Sequence, residues 1–237
     1  MFSSQAFATV TGLDPSIYLL SESKNILALP TSTRNEENVP GLVFVGQRQE
    51  QVPVRLVIFA GSEEADSVGS LALLKLLVDL DLAPLLAHDY ALFCYLSLPQ
   101  RAKTYFDRQC WNVHWGKTPL PDELLAFDAD GFISIRANDS VGGLQIEASD
   151  RTIAHEVAWP AVVRASRIQP LDAEPVRWVQ ADEVSGANIS DLPSNAFRLA
   201  VRTPWVAETE NQIAAIGIAL KEVLLQYRSL RNFAKAL

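Results

Sequence analysis

The sequence predicts a single α/β domain, and three observations carry that expectation. Runs rich in β-branched and aromatic residues recur along the chain, with Val54–Ala60 and Tyr90–Leu96 the clearest. Segments of helical period lie between them, and the last of these is the strongest periodic signal present. At 237 residues the chain is long enough for one sizeable α/β core and short for two. One domain over residues 1–237 is therefore expected, with strands and helices alternating along its length.

Residues 1 to about 50 are mixed, with short strands expected at Ile26–Leu29 and Leu42–Val45 and a polar loop from Thr31 to Val39. Val54–Ala60 is an apolar strand that stops at Gly61. The acidic loop Ser62-Glu63-Glu64-Ala65-Asp66 follows, and then a helix over Val68–Leu82. That helix is apolar around much of its circumference, which predicts packing on more than one side. Asp66 or Ser67 is its expected N-cap. Further strands are expected at Tyr90–Leu96, Gly131–Ile135, Leu144–Ala148 and Phe197–Val201. The region 150–195, punctuated by Pro160, Pro170, Pro175 and Pro193, reads as irregular with a short strand near Val176–Val179. From about Glu208 to Phe233 the residues Ile213, Ile216, Leu220, Val223, Leu224, Tyr227 and Leu230 follow the i, i+3, i+4, i+7 pattern of an amphipathic helix laid on the sheet. Its other face, with Lys221, Glu222 and Arg228, reads as solvated.

Composition narrows the function classes. A hydrophobic content of 49% with 20% charged residues is that of an ordinary globular protein. A net charge of −8 argues against nucleic acid and anionic membrane as partners, since both select basic surfaces. Two cysteines are too few for a disulfide framework; Cys94 and Cys110 read as buried or half-buried thiols, which fits a reducing cytoplasm. The N-terminal residues lack the cationic and continuous apolar regions of a signal peptide, and no apolar run approaches the ~18 residues that span a bilayer.

A strand, an acidic loop and a helix place Glu63 and Asp66 at the carboxyl end of a sheet strand, where open α/β folds build their sites. Alone, such acids are usually solvated or serve a helix N-terminus. His88, His114 and His155 show no metal-ligand spacing among themselves. Asp128-Ala129-Asp130-Gly131 lacks the remainder of a calcium loop and reads as a turn into a strand. Neither a phosphate-binding glycine loop nor a GxSxG elbow is present. The five tryptophans fit core or interface packing, with a carbohydrate or partner surface as the alternative.

Four segments in order carry a resemblance. The run from Phe59 to Gly69 resembles the strand-to-helix segment of zinc metallocarboxypeptidases, most closely the bacterial branch near succinylglutamate desuccinylase and aspartoacylase. In that family an HxxE pair supplies two zinc ligands; Glu63 and Asp66 stand at those two positions. Tyr105-Phe106-Asp107-Arg108-Gln109-Cys110-Trp111 resembles the family's DLNRxFW segment, with Arg108 kept and Asp107 in place of the Asn. Arg136, in the run from Asp130 to Asp139, stands where the family has its third zinc ligand, a histidine. Arg202, in Leu199–Pro204, stands where the family has the general base, a glutamate. The resemblance covers residues 40 to 237. It implies a central mixed, mostly parallel twisted sheet flanked by helices, the arrangement shared with phosphorylase/hydrolase-like folds.

The resemblance also implies zinc, but the substitutions oppose it. Guanidinium offers only donors and stays protonated, so Arg136 cannot ligate a cation and Arg202 cannot accept a proton from water. No catalytic residue is then intact, and no metal or cofactor is expected. Arg136 could instead pair with Glu63 or Asp66 and neutralise them; alternatively both acids face water. Arg108, Asp107 and Arg202 are candidates for holding a small anionic ligand, against structural ion pairs with Asp107, Asp139 or Glu147. The favoured expectation is a non-catalytic homologue binding a small carboxylate or a protein partner. The alternatives are an active metal-dependent amide hydrolase, with Glu63, Asp66 and a third ligand such as His155 or Asp139, and a structural subunit of a larger assembly.

Overall fold

The computed structural model describes residues 23, 25–28, 41–46, 53–60, 67–83, 89–96, 128–184 and 195–236, and among these described residues eight strands and three helices follow one another. The order is β1 (Ile26–Ala28), β2 (Gly41–Val45), β3 (Val54–Ala60), α1 (Ser67–Leu82), β4 (Tyr90–Leu96), β5 (Gly131–Asp139), β6 (Leu144–Ala148), α2, β7 (Leu171–Trp178), β8 (Phe197–Pro204) and α3 (Thr209–Ala236). Helix α2 runs from Arg151–Ile153 through a π-helical turn at Ala154–Ala158 into Trp159–Ala165.

The strands form one sheet in the order β1-β2-β4-β3-β5-β8-β6-β7. Its centre, β4, β3, β5 and β8, is parallel. On one flank β2 runs antiparallel to β4 and β1 antiparallel to β2. On the other, β6 is antiparallel to β8 while β7 is parallel to β6. This is the mixed α/β sheet that the alternation of elements predicts, and all the expected strands are present.

Side chains alternate between the two faces of a strand. Leu56 and Ile58 of β3, Leu92 and Cys94 of β4, Ile133 and Ile135 of β5, and Leu199 and Val201 of β8 share one core cluster with buried residues of all three helices. The described helices therefore cover a single face. Helix α3 buries Ile213, Ile216, Leu220, Val223 and Leu224, with Tyr227 and Leu230 partly buried against them, as its period predicts. Fully burying one such aliphatic side chain contributes roughly 1.5–3 kcal/mol, so this seam is a principal source of cohesion. Polar anchors set its position: Tyr90 Oη donates to the Leu224 carbonyl at 2.9 Å, and Arg231 Nη1 to the Pro53 carbonyl at 2.6 Å. The turn before β5 is held likewise, because Asp130 Oδ2 accepts from the Arg55 N–H at 2.7 Å.

The region expected to be irregular holds α2 and the eight-residue β7. Asp150 starts α2, its side chain accepting from the Ile153 N–H at 3.0 Å. Pro160 does not break the helix. A proline clashes with the carbonyl four residues back and brings no N–H. Here the π turn lies directly before it, and the Trp159 N–H bonds to the Ala154 carbonyl instead. Strands β5 and β8 also extend past their expected ends, to Asp139 and Pro204, which places Arg136 and Arg202 inside the ladder.

Candidate functional site

Because β3, β5 and β8 are parallel, their carboxyl ends lie along one edge of the sheet. Ala60 pairs with Ile135, and Arg136 pairs with Arg202 in the next ladder. Ser70 Oγ donates to the Ala60 carbonyl at 3.2 Å, fixing the start of α1 against the end of β3. Residues 61–66 join these two elements. Glu63 and Asp66, together with Asp107, Arg108 and Cys110, lie outside the described residues, as does the cap position Asp66.

Arg136 and Arg202 occupy the sheet face opposite the helices, alternating with the core residues Ile135 and Val201. Like charges directly opposite one another on adjacent strands repel. Carboxylates offset that repulsion at Arg202. Its Nε donates to Asp139 Oδ2 at 2.7 Å, and its Nη1 donates to Glu147 Oε1 at 2.7 Å and to Gln145 Oε1 at 3.0 Å. Gln145, its partner in the β6–β8 ladder, donates in turn to Asp172 Oδ1 at 3.3 Å and to the Glu174 carbonyl at 3.0 Å. Arg177 on β7 adds a second donor to Glu147 Oε1 at 3.3 Å. One polar network thus crosses from β5 through β8 and β6 to β7.

The electrostatics follow from that network. Burial alone would raise the Asp139 pKa, but hydrogen bonds from Arg202 and the Ser140 N–H, with the charges of Arg202 and Arg136, outweigh it and hold the carboxyl below its usual range. Burial disfavours charge on Arg202 too, yet Asp139 and Glu147 outweigh it and raise its pKa further. Arg202 is a committed cation and a committed donor. Arg136 differs, since its Nε is buried and meets no hydrogen-bond partner among the described residues.

A zinc centre needs ligand lone pairs around an open position. Two guanidiniums supply none, and the carboxylates of Asp139 and Glu147 already accept from Arg202. Among the described residues no group of three or more His, Cys, Asp or Glu could hold a metal. Among the described residues, the side chains at this edge do not supply a zinc ligand set.

Of the ligands considered for a hydrolase, Asp139 is brought to this edge, bound to Arg202. His155 is not. It lies on α2, which packs on the opposite face, and its exposed ring meets Glu156 at 2.8 Å. The ion pairs of Arg202 with Asp139 and Glu147 are among the structural alternatives the sequence offers. Neither the motifs nor the resemblance points to Gln145, Asp172 or Arg177. The signal for Gln145 was the alternation in Leu144–Ala148, which puts it beside Glu147 on one face of a strand whose five residues are all buried. No described helix is long and apolar enough to cross a membrane.

No protein-family model matches the sequence, and no curated protein does. Solved structures do. The chain is similar to a candidate metallopeptidase from Shewanella amazonensis SB2B, with a TM-score of 0.65 and 15% identity over 93% of each chain. It is also similar to a metallo-carboxypeptidase from Burkholderia cenocepacia, with a TM-score of 0.62 and 12% identity, covering 91% of this chain and 68% of that one. A metallo-carboxypeptidase from Pseudomonas aeruginosa in complex with (2-guanidinoethylmercapto)succinic acid gives a TM-score of 0.54 at 10% identity, covering 91% of this chain and 68% of that one. The fold is that of metallo-carboxypeptidases, as the ordered segments imply.

Proposed function

We propose that the chain is a non-catalytic relative of the zinc metallocarboxypeptidases, of the branch near succinylglutamate desuccinylase and aspartoacylase, that binds a small carboxylate at the carboxyl edge of its sheet. The observation behind this reading is the in-register pair Arg136 and Arg202. By the resemblance these are the third-ligand and general-base positions, and arginine can serve neither as zinc ligand nor as base. Arg202 is held by Asp139, Glu147 and Gln145 and keeps the edge rigid. Arg136, whose Nε has no described partner, is the side chain that would take the ligand carboxylate. A dicarboxylate is the ligand class to try first, because the Pseudomonas aeruginosa neighbour is in complex with a succinic acid derivative.

The test is metal analysis of protein purified without added zinc, with a thermal-shift titration of succinate against the natural chain and Arg136→Gln. This reading expects no stoichiometric transition metal and a saturable stabilisation that Arg136→Gln abolishes. Stoichiometric zinc together with hydrolysis of an N-acyl amino acid would establish the active amide hydrolase instead.

A further inference from the structure

On the helix-covered face, far along the sheet from the central strands, α2 and the edge strand β7 enclose an open cavity of about 360 Å³ lined by Arg151, Ala154, His155, Trp159, Val176 and Trp178. Its indole side chains are not core: Trp159 is 48% and Trp178 51% exposed, and Val163 and Ile168 are exposed beside them in the sequence. The π turn Ala154–Ala158 forms part of the wall. Such turns recur at functional sites, where the extra residue re-aims the side chains around it. The charge at the lining is of one sign. Arg151 is the one arginine or lysine among the lining residues, and no aspartate or glutamate lines the cavity, in a chain whose net charge is −8.

We infer that this groove docks an extended acidic segment of a partner protein, its carboxylates flanked by aliphatic side chains. The guanidinium of Arg151 lies 4.4 Å from the centre of the Trp178 ring and has no carboxylate partner among the described residues. A guanidinium stacked in this way keeps its N–H edge for a carboxylate. It also caps the ring that a sugar would need for stacking, so the arrangement selects an anion over a glycan. The remaining wall, Trp159, Val176 and Ala154, takes apolar groups. The chain's overall negative charge repels long polyanions, which disfavours nucleic acid, while a short acidic segment meets the Arg151 guanidinium. Among the described strands β7 is the last of the sheet, a position that suits an extended partner. The inference is independent of the proposal for Arg136.

The test uses the full chain and a fluorescein-labelled, end-blocked peptide of about eight residues alternating glutamate and leucine, followed by anisotropy, with lysine–leucine and glutamate–serine peptides as controls. Saturable binding of the glutamate–leucine peptide alone is expected, weakening with salt and falling about tenfold or more in Arg151→Glu and in Trp178→Ser. Arg151 is exposed in the first turn of α2, where an acid favours the helix, so Arg151→Glu keeps the fold. Lys221→Gln, on α3, leaves binding unchanged. Equal binding of the lysine–leucine peptide, binding unaffected by Arg151→Glu, or no saturation would overturn the inference. So would self-association in sedimentation that Trp178→Ser abolishes, which would give the groove to a second copy.

Discussion

Arg202 donates from Nη1 to Glu147 Oε1 at 2.7 Å, joining β8 to β6 beneath a sheet face where the Glu147 side chain is only 4% exposed. A carboxylate taken that far out of water is costly unless paired, and removing one partner is worse than replacing both. The same guanidinium holds Asp139 on β5, so one side chain ties together three strands of the carboxyl edge.

Arg202→Met should therefore destabilise the fold by about 3 kcal/mol, since Arg177, at 3.3 Å and partly exposed, is a weaker partner for Glu147. The double variant Arg202→Met with Glu147→Leu should recover most of that loss. Urea unfolding of the two variants beside the natural chain checks both statements. A single variant as stable as the natural chain would show the network to be energetically idle.

Asp139 makes the stability depend on acid. Its folded pKa lies below the ordinary 3.8, so the unfolded chain takes up its proton first as pH falls. The stabilisation is complete above the unfolded value and is lost as pH drops through the folded one. Unfolding free energies measured downward from about pH 5 should fall most steeply below about pH 4, and Asp139→Asn should flatten that slope. Asp172, held low by the N–H groups of Glu174, Gly142 and Gly143, adds a smaller contribution in the same window because it is mostly solvated.

The sheet was legible because its signals are local. Val54–Ala60, Tyr90–Leu96 and Leu144–Ala148 are strands from end to end as their apolar runs predict. What escaped was non-local. Pro160 reads as a breaker, and only the preceding π turn, which no residue type announces, lets α2 continue. The apolar runs of β5 and β8 end at Ile135 and Val201, whereas the ladder extends through Arg136 and Arg202, where Asp139 and Glu147 supply opposite charge to Arg202. Residue order placed Arg136 and Arg202 at corresponding strand ends. It could not show that one would be saturated by β6 and the other left with a buried Nε lacking a described partner.

Tyr90 links the sheet to α3 through its hydroxyl, and burial pushes its pKa to about 12, the nearby Asp89 adding to burial and Arg228 opposing it. A phenol raised in this way stabilises the fold below its unfolded pKa of 10.0, and that contribution is lost as pH rises through about 12. Tyr227 behaves likewise. Tyr90→Phe should cost about 1 kcal/mol near neutral pH, through the lost hydrogen bond to the Leu224 carbonyl, and should reduce the alkaline loss. Unfolding measured at neutral pH and again above pH 10 separates the two effects. Equal losses for both proteins above pH 10 would remove Tyr90 from the account.

Two glycines should respond in opposite directions to the same substitution. A Cβ added at Gly143 would overlap the backbone of Leu171 and Asp172, where β6 and β7 approach. Backbone in a ladder cannot swing aside as a side chain end can, so Gly143→Ala must shift β7 and should cost about 2 kcal/mol or more. Gly217 lies within α3, and a Cβ there meets nothing within 4 Å. Alanine restores helix propensity at that position, so Gly217→Ala should gain up to about 1 kcal/mol. Thermal melts of both variants should move the Tm down for Gly143→Ala and up for Gly217→Ala. A neutral Gly143→Ala would mean that β7 is free to shift against β6, and the strand pairing that aligns Arg177 with Glu147 would then be soft rather than fixed.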